Sequence, residues 1–69
     1  MKTERLIKMA NDISNFFNAD PDKQVAAEGV KNHILRSWDP RMRAAIIEYC
    51  QKDGAELSDL AKAAVQKLR

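Results

Sequence analysis

Three arginines, one tryptophan, one histidine and one cysteine are the side chains of this 69-residue chain whose types and spacing could do chemistry. Arg36, Arg41 and Arg43 fall within His33-Ile34-Leu35-Arg36-Ser37-Trp38-Asp39-Pro40-Arg41-Met42-Arg43, which also holds the only Trp, the only His and one of two prolines. Guanidinium and indole groups are the types enriched where protein surfaces bind one another. Catalysis is harder to build from this inventory. His33 and Cys50 stand 17 residues apart with no evident third group to orient them. A lone histidine without cysteine or histidine at ligand spacing reads as a packed, hydrogen-bonded residue rather than a metal ligand. Cys50 has no base or helix N-terminus beside it and reads as an inert thiol. No Gly-rich phosphate loop, Cys-x-x-Cys pair, His-Glu-x-x-His run or Gly-x-Ser-x-Gly elbow occurs. The ten acids offer chance carboxylate pairs, but a chain this short has little room for a substrate-sized pocket. The expectation is therefore no catalytic, cofactor-binding or metal-binding residue. The candidate site is a partner-binding surface of Leu35, Arg36, Trp38, Asp39, Arg41, Arg43 and Ile47.

The arginine stretch needs a corner to present it. Asp39 can accept from the free N–H groups of a new helix, and Pro40 suits its first position, where no donor is needed. Pro40 also disfavours the α conformation at Asp39, so the preceding helix must stop by about Trp38. Arg41 and Arg43 then sit in or near the first turn of the new helix, where the macrodipole disfavours cations by about 0.3–1 kcal/mol each. Removing both should leave the fold intact or slightly firmer. Two readings stay open: the arginines pair with Asp39 or another acid while their stems cover Trp38, or they dock a partner.

The rest of the chain reads as helices around this corner. Thr3 is the expected N-cap of a helix over 4–17, with Leu6, Ala10, Ile13 and Phe17 on its core face and Met9 and Phe16 flanking. Asp20 is the expected cap of a second helix over 21–37, with Pro21 in its first turn and Ala26, Val30, Ile34 and Ser37 inward. Gly29 inside that helix marks a place where another helix approaches closely, and Val25 and Leu35 point away from the core face. A third helix over 40–53 places Met42, Ile46 and Tyr49 inward, with Gly54 as its stop and Ile47 off the core face. Ser58 caps a short fourth helix with Leu57, Leu60, Ala61, Ala64 and Leu68 inward, and Lys67 and Arg69 complement its end. The fold class is all-α: a single helical domain spanning 1–69, built as a small antiparallel bundle of about four helices, three longer and one short.

Composition limits what such a domain could do. At this length the core is small, and marginal stability alone, or stability borrowed from a partner, is expected. The net charge of +2 argues little for nucleic acid, yet residues 31–43 carry four Lys/Arg against Asp39 alone, between two acidic stretches. No apolar run is long enough to span a membrane. The opening Met-Lys-Thr-Glu-Arg lacks the apolar core of a signal peptide, and one cysteine fits a reducing compartment, so a cytoplasmic location is expected.

The string from His33 to Arg43 closely resembles the signature of the delta subunit of soluble NAD-dependent, molybdenum-containing formate dehydrogenases. Arg5-Leu6-Ile7-Lys8-Met9-Ala10-Asn11-Asp12-Ile13, followed by Phe16-Phe17, is similar to that family's N-terminal segment, and Ser37 stands where the family pattern usually has an aromatic residue. The resemblance implies a small non-catalytic subunit acting in assembly or stabilisation of the complex, with the catalytic subunits as partners. The molybdenum cofactor, iron–sulfur clusters and FMN it implies would lie on other subunits. The alternative from another class is a helix-turn-helix nucleic-acid binder using Arg41 and Arg43, disfavoured by the low net charge and by Glu48 and Asp53 on the same helix. A homo-oligomer of the isolated chain stays open.

Overall fold

A computed structural model describes residues 2–68. Four helices occupy them: α1 (Thr3–Phe17), α2 (Lys23–Ser37), α3 (Pro40–Lys52) and α4 (Asp59–Gln66), with no strand among the described residues. They pack as a small bundle. α1 and α4 each lie against all the other helices, whereas α2 and α3, consecutive in the chain, touch each other least. Ala10 on α1 and Ala61 and Ala64 on α4 are fully buried, and methyl-sized side chains let these two shared helices approach their neighbours closely. Val30 and Ile34 from α2, Ile46 from α3 and Leu6 from α1 supply bulk to the same core.

The helix starts follow the capping chemistry, with two shifts. Thr3, the expected N-cap, is already helical: Lys2 takes the cap position without a side-chain bond, its carbonyl accepting from Arg5 N–H at 3.1 Å. α2 starts at Lys23 because Asp22, not Asp20, caps it, accepting from Gln24 N–H at 3.0 Å and Val25 N–H at 3.4 Å. Asp20 is used one step earlier, accepting from Asp22 N–H at 2.9 Å, so Asp20-Pro21 forms the turn before the cap. Gly54 ends α3 as expected, with φ of 66° and its N–H donating to the Tyr49 carbonyl at 3.1 Å. Ser58 caps α4, its hydroxyl accepting from Ala61 N–H at 3.2 Å. Lys67 follows the end of α4, while Arg69 lies outside the described residues.

Three core-face expectations need correction. Phe16 is 79% exposed, because adjacent helical positions diverge by about 100° and Phe17 takes the inward direction. Ile7 and Ser14 are buried in its place; the Ser14 hydroxyl donates to the Ala10 carbonyl at 2.8 Å, which lets a polar side chain enter the core. Ser37 is exposed while Trp38, just past the helix, is buried; on α4, Val65 is buried beside Ala61 and Ala64.

Side chains from separate elements hold the bundle together. Asn11 clamps the α3–α4 loop to α1, donating to the Glu56 carbonyl and accepting from Ser58 N–H, both at 2.9 Å. The Tyr49 hydroxyl accepts from Glu56 N–H at 3.0 Å in the same loop. Glu28 on α2 meets Lys31 at 3.1 Å and Lys67, beyond α4, at 3.5 Å. The Lys31 hydrogen bond holds its carboxyl below the ordinary value of 4.5, partly countered by desolvation. Gly29 sits beneath the Phe17 ring: a Cβ there would come within 2.6 Å of two ring carbons.

Two outcomes follow from these contacts. In a carboxylate titration by NMR, Glu28 should titrate below the ordinary glutamate midpoint, and Lys31→Ala should raise it. Since the folded value is the lower one, the pair's stabilisation is present above about the ordinary midpoint and is lost as pH falls through the folded value. Gly29→Ala gains about 1 kcal/mol of helix propensity but forces the Phe17 ring aside. Chemical denaturation should show the full gain only in a Phe17→Ala background, giving a coupling of about 0.5 kcal/mol or more between the two sites.

Candidate functional site

Two residues, Trp38 and Asp39, join α2 to α3 and turn the chain. Trp38 leaves the helix in an extended conformation, with φ of −98° and ψ of 142°, while its N–H still donates to the Ile34 carbonyl at 2.8 Å. Its indole is 4% exposed and belongs to the core. The Asp39 carboxylate accepts from Met42 N–H at 2.9 Å, and Pro40 takes the first turn of α3. The Arg43 guanidinium, half-buried, reaches back and donates to the Trp38 carbonyl at 2.7 Å.

The corner assembles most of the expected site residues, in different roles. Leu35 is 46% exposed, and Arg36, Asp39 and Arg41 are exposed as well. Trp38, expected as a contact, is buried in the core instead. Ile47, expected off the core face, is half-buried and packs partly against the core. Arg43 does not oppose the structure as its place in α3 suggested. It lies beside the C-terminal end of α2, where a cation is favoured, so its removal is expected to cost stability rather than leave the fold slightly firmer.

The ion pairs among the described residues are Lys8–Asp12, Lys31–Glu28, Lys52–Glu48 and Lys67–Glu28. Every cation in them is a lysine. The corner arginines form no ion pair with Asp39 or another acid within the described residues, so of the two readings of their charges the internal pairing is not realised. The helix-turn-helix expectation meets a geometric obstacle: that motif seats its second helix on its first, and α2 and α3 scarcely touch.

Sequence reasoning missed part of the exposed apolar surface. Among the described residues Phe16 is the most exposed large hydrophobic side chain, whereas Val25, expected to point away from the core face, is 53% exposed in agreement with that reading. The signal was available in the adjacent Phe16-Phe17 pair, only one of which can face a core. Elsewhere, a shallow groove of about 480 Å³ between the end of α1 and the start of α4 includes Lys23, whose ammonium donates to the Asn18 carbonyl at 2.9 Å. Among the described residues, no group of three or more His, Cys, Asp or Glu side chains is placed to hold a metal ion, and the lone half-buried Cys50 does not fit a cluster bound by several thiolates. No helix of the described residues is long and apolar enough to cross a membrane.

Fold and surface together define a small helical module whose distinctive feature is an exposed arginine corner rather than an enclosed pocket. The chain belongs to the family described as NADH-dependant formate dehydrogenase delta subunit FdsD, whose family model matches residues 5–65. Comparison with curated proteins and with solved structures gave no match.

The corner generates a graded set of stabilities. Asp39→Ala should cost about 0.5–2 kcal/mol through loss of the cap. Arg43→Ala should cost about 1 kcal/mol, a charged hydrogen bond reduced by partial exposure and by relief at the start of α3. Arg41→Ala should stay within about 0.5 kcal/mol of the parent. Thermal melts resolve this order, since 1 kcal/mol moves the midpoint of a domain this size by roughly 4–8 °C.

Proposed function

We propose that this chain is a non-catalytic delta subunit that assembles or stabilises an NAD-dependent formate dehydrogenase in the cytoplasm. It acts as one helical domain, binds no cofactor itself, and docks onto the catalytic subunits. Family membership supports the complex. The observation that carries the docking role is the corner itself: Leu35 and Arg36 at the end of α2 and Arg41 at the start of α3 stand exposed on either side of a two-residue turn, with no carboxylate of the described residues paired to the arginines. Asp39, Trp38 and Arg43 fix that turn, and Ile47 lies on the following helix. Redox chemistry on formate requires groups for which these residues supply no ligand set, so it falls to the partners.

The test is copurification of the tagged full chain from cells that make the formate dehydrogenase subunits, with the retained proteins identified. Formate dehydrogenase subunits should be retained stoichiometrically, and the isolated chain should oxidise no formate and carry no stoichiometric metal or flavin. Formate oxidation by the isolated chain would overturn the reading.

A further inference from the structure

Among the described residues, the large hydrophobic side chains left exposed lie on α2 or are linked to it through a neighbouring ring. Val25 and Leu35 lie on it, at 53% and 46% exposure, and Phe16 joins it through a short relay. The Phe16 ring stands edge-on to Phe17, with centroids 5.2 Å apart, and the Phe17 ring lies over Gly29, one helical turn beyond Val25. On the helix itself, Val25, Glu28, Asn32, Leu35 and Arg36 follow the three- and four-residue spacing of a single stripe. That stripe is opposite the face made by the buried Ala26, Val30 and Ile34. Val25 and Leu35 are thus separated by roughly 15 Å along the axis.

The charges along this stripe are unevenly satisfied. Its carboxylates are engaged within the chain: Glu28 by Lys31 and Lys67, Asp22 by the first amides of α2, Asp39 by Met42 N–H. Arg36 at its C-terminal end, and Arg41 just past the corner in the first turn of α3, are exposed and meet no carboxylate of the described residues. The surface therefore presents apolar anchors along its length, a neutralised middle and uncompensated positive charge at one end.

We infer that the outer stripe of α2 from Val25 to Leu35 and Arg36, together with Phe16 of α1 and Arg41 of α3, is one docking face for a protein subunit that offers apolar pockets along the stripe and carboxylates at its arginine end. The inference rests on the proposed role as a subunit and extends the contact beyond the corner. Charge complementarity chooses this occupant. Apolar burial along the stripe would hold the partner, and arginine–carboxylate pairs would fix which way it lies. A second copy of this chain is the competing occupant.

The test uses the full chain and the formate dehydrogenase subunits, with three variants: Phe16→Ser with Val25→Ser, Arg36→Glu with Arg41→Glu, and the control Gln51→Glu on exposed α3 surface. Circular dichroism should show unchanged helix content in all of them, since each altered side chain is exposed. Each stripe variant should weaken binding about tenfold or more, and only the arginine variant should flatten its salt dependence. The control should bind as the parent does. Parent-like binding by the Phe16/Val25 variant would overturn the extended face while leaving the subunit role standing. Failure of the parent chain to bind any subunit would remove the subunit role and this face with it. A stripe-dependent dimer in sedimentation, with subunit binding unchanged, would overturn the inference in favour of a second copy.

Discussion

The structure depends on ending one helix and starting another within two residues while burying the largest side chain of the chain between them. Pro40 forbids α2 from continuing, Asp39 supplies the acceptor that α3 needs, and Trp38 can enter the core only because its backbone turns extended at that point. Arg43 completes the turn from the other side. Placed four residues into α3, it would merely oppose that helix's dipole in a straight chain. At this corner its guanidinium reaches the carbonyl beyond the end of α2, so a local mismatch on one helix becomes a cap for its neighbour. The same turn sends α2 and α3 to opposite sides of the bundle, leaving α1 and α4 to fill the centre.

This arrangement explains how the cations are divided. Lysines take the ion pairs, either within a helix, as in Lys8–Asp12 and Lys52–Glu48, or bridging from α2 to the end of α4 through Glu28. Exposed pairs of this kind contribute little each, and a flexible point charge suits them. Three of the five arginines, whose planar fork favours directed bonding, gather where the chain turns. One of them is bound to backbone; Arg36 and Arg41 project outward. Electrostatics here therefore has two separate locations, a lysine set that mildly steadies the fold and a corner where Arg43 holds the turn while Arg36 and Arg41 meet no carboxylate of the described residues.

Much of the fold was legible from short-range chemistry. Asp39-Pro40, Gly54 and Ser58 each specify a boundary through their own bonding, and the structure keeps all three. What failed was the choice between equivalent signals. Asp20 and Asp22 can both cap, and only the geometry of the preceding turn selects Asp22. Phe16 was expected to flank the core face that helical spacing assigns to Phe17, yet it turns outward while the Phe17 ring lies over Gly29. Ser14 was hidden because its polarity is cancelled by a bond to its own helix, and the Asn11 clamp because its partners lie more than forty residues away. At the candidate site, exposure of Leu35 followed from helical spacing, but burial of Trp38 did not, since a residue just outside a helix has no face that periodicity can assign.

The properties of α2 bear on how such a small domain could hold a partner. Its inner side is made of short side chains, Ala26, Ala27 and Val30, seated against the rest of the bundle, and its two ends are fixed by Asp22 and by the Trp38 turn. The backbone carrying Val25 and Leu35 is thus already ordered before any partner arrives, and these branched side chains have little rotamer freedom left to lose. Arg36 and Arg41 are different: long exposed side chains lose about 0.5–1.5 kcal/mol each when immobilised. Affinity at this face would therefore come chiefly from the apolar anchors, whereas the arginines would contribute orientation and discrimination against partners lacking carboxylates. A chain too short to build a large core can in this way still offer a firm surface, because the residues that make α2 rigid are not the ones it presents.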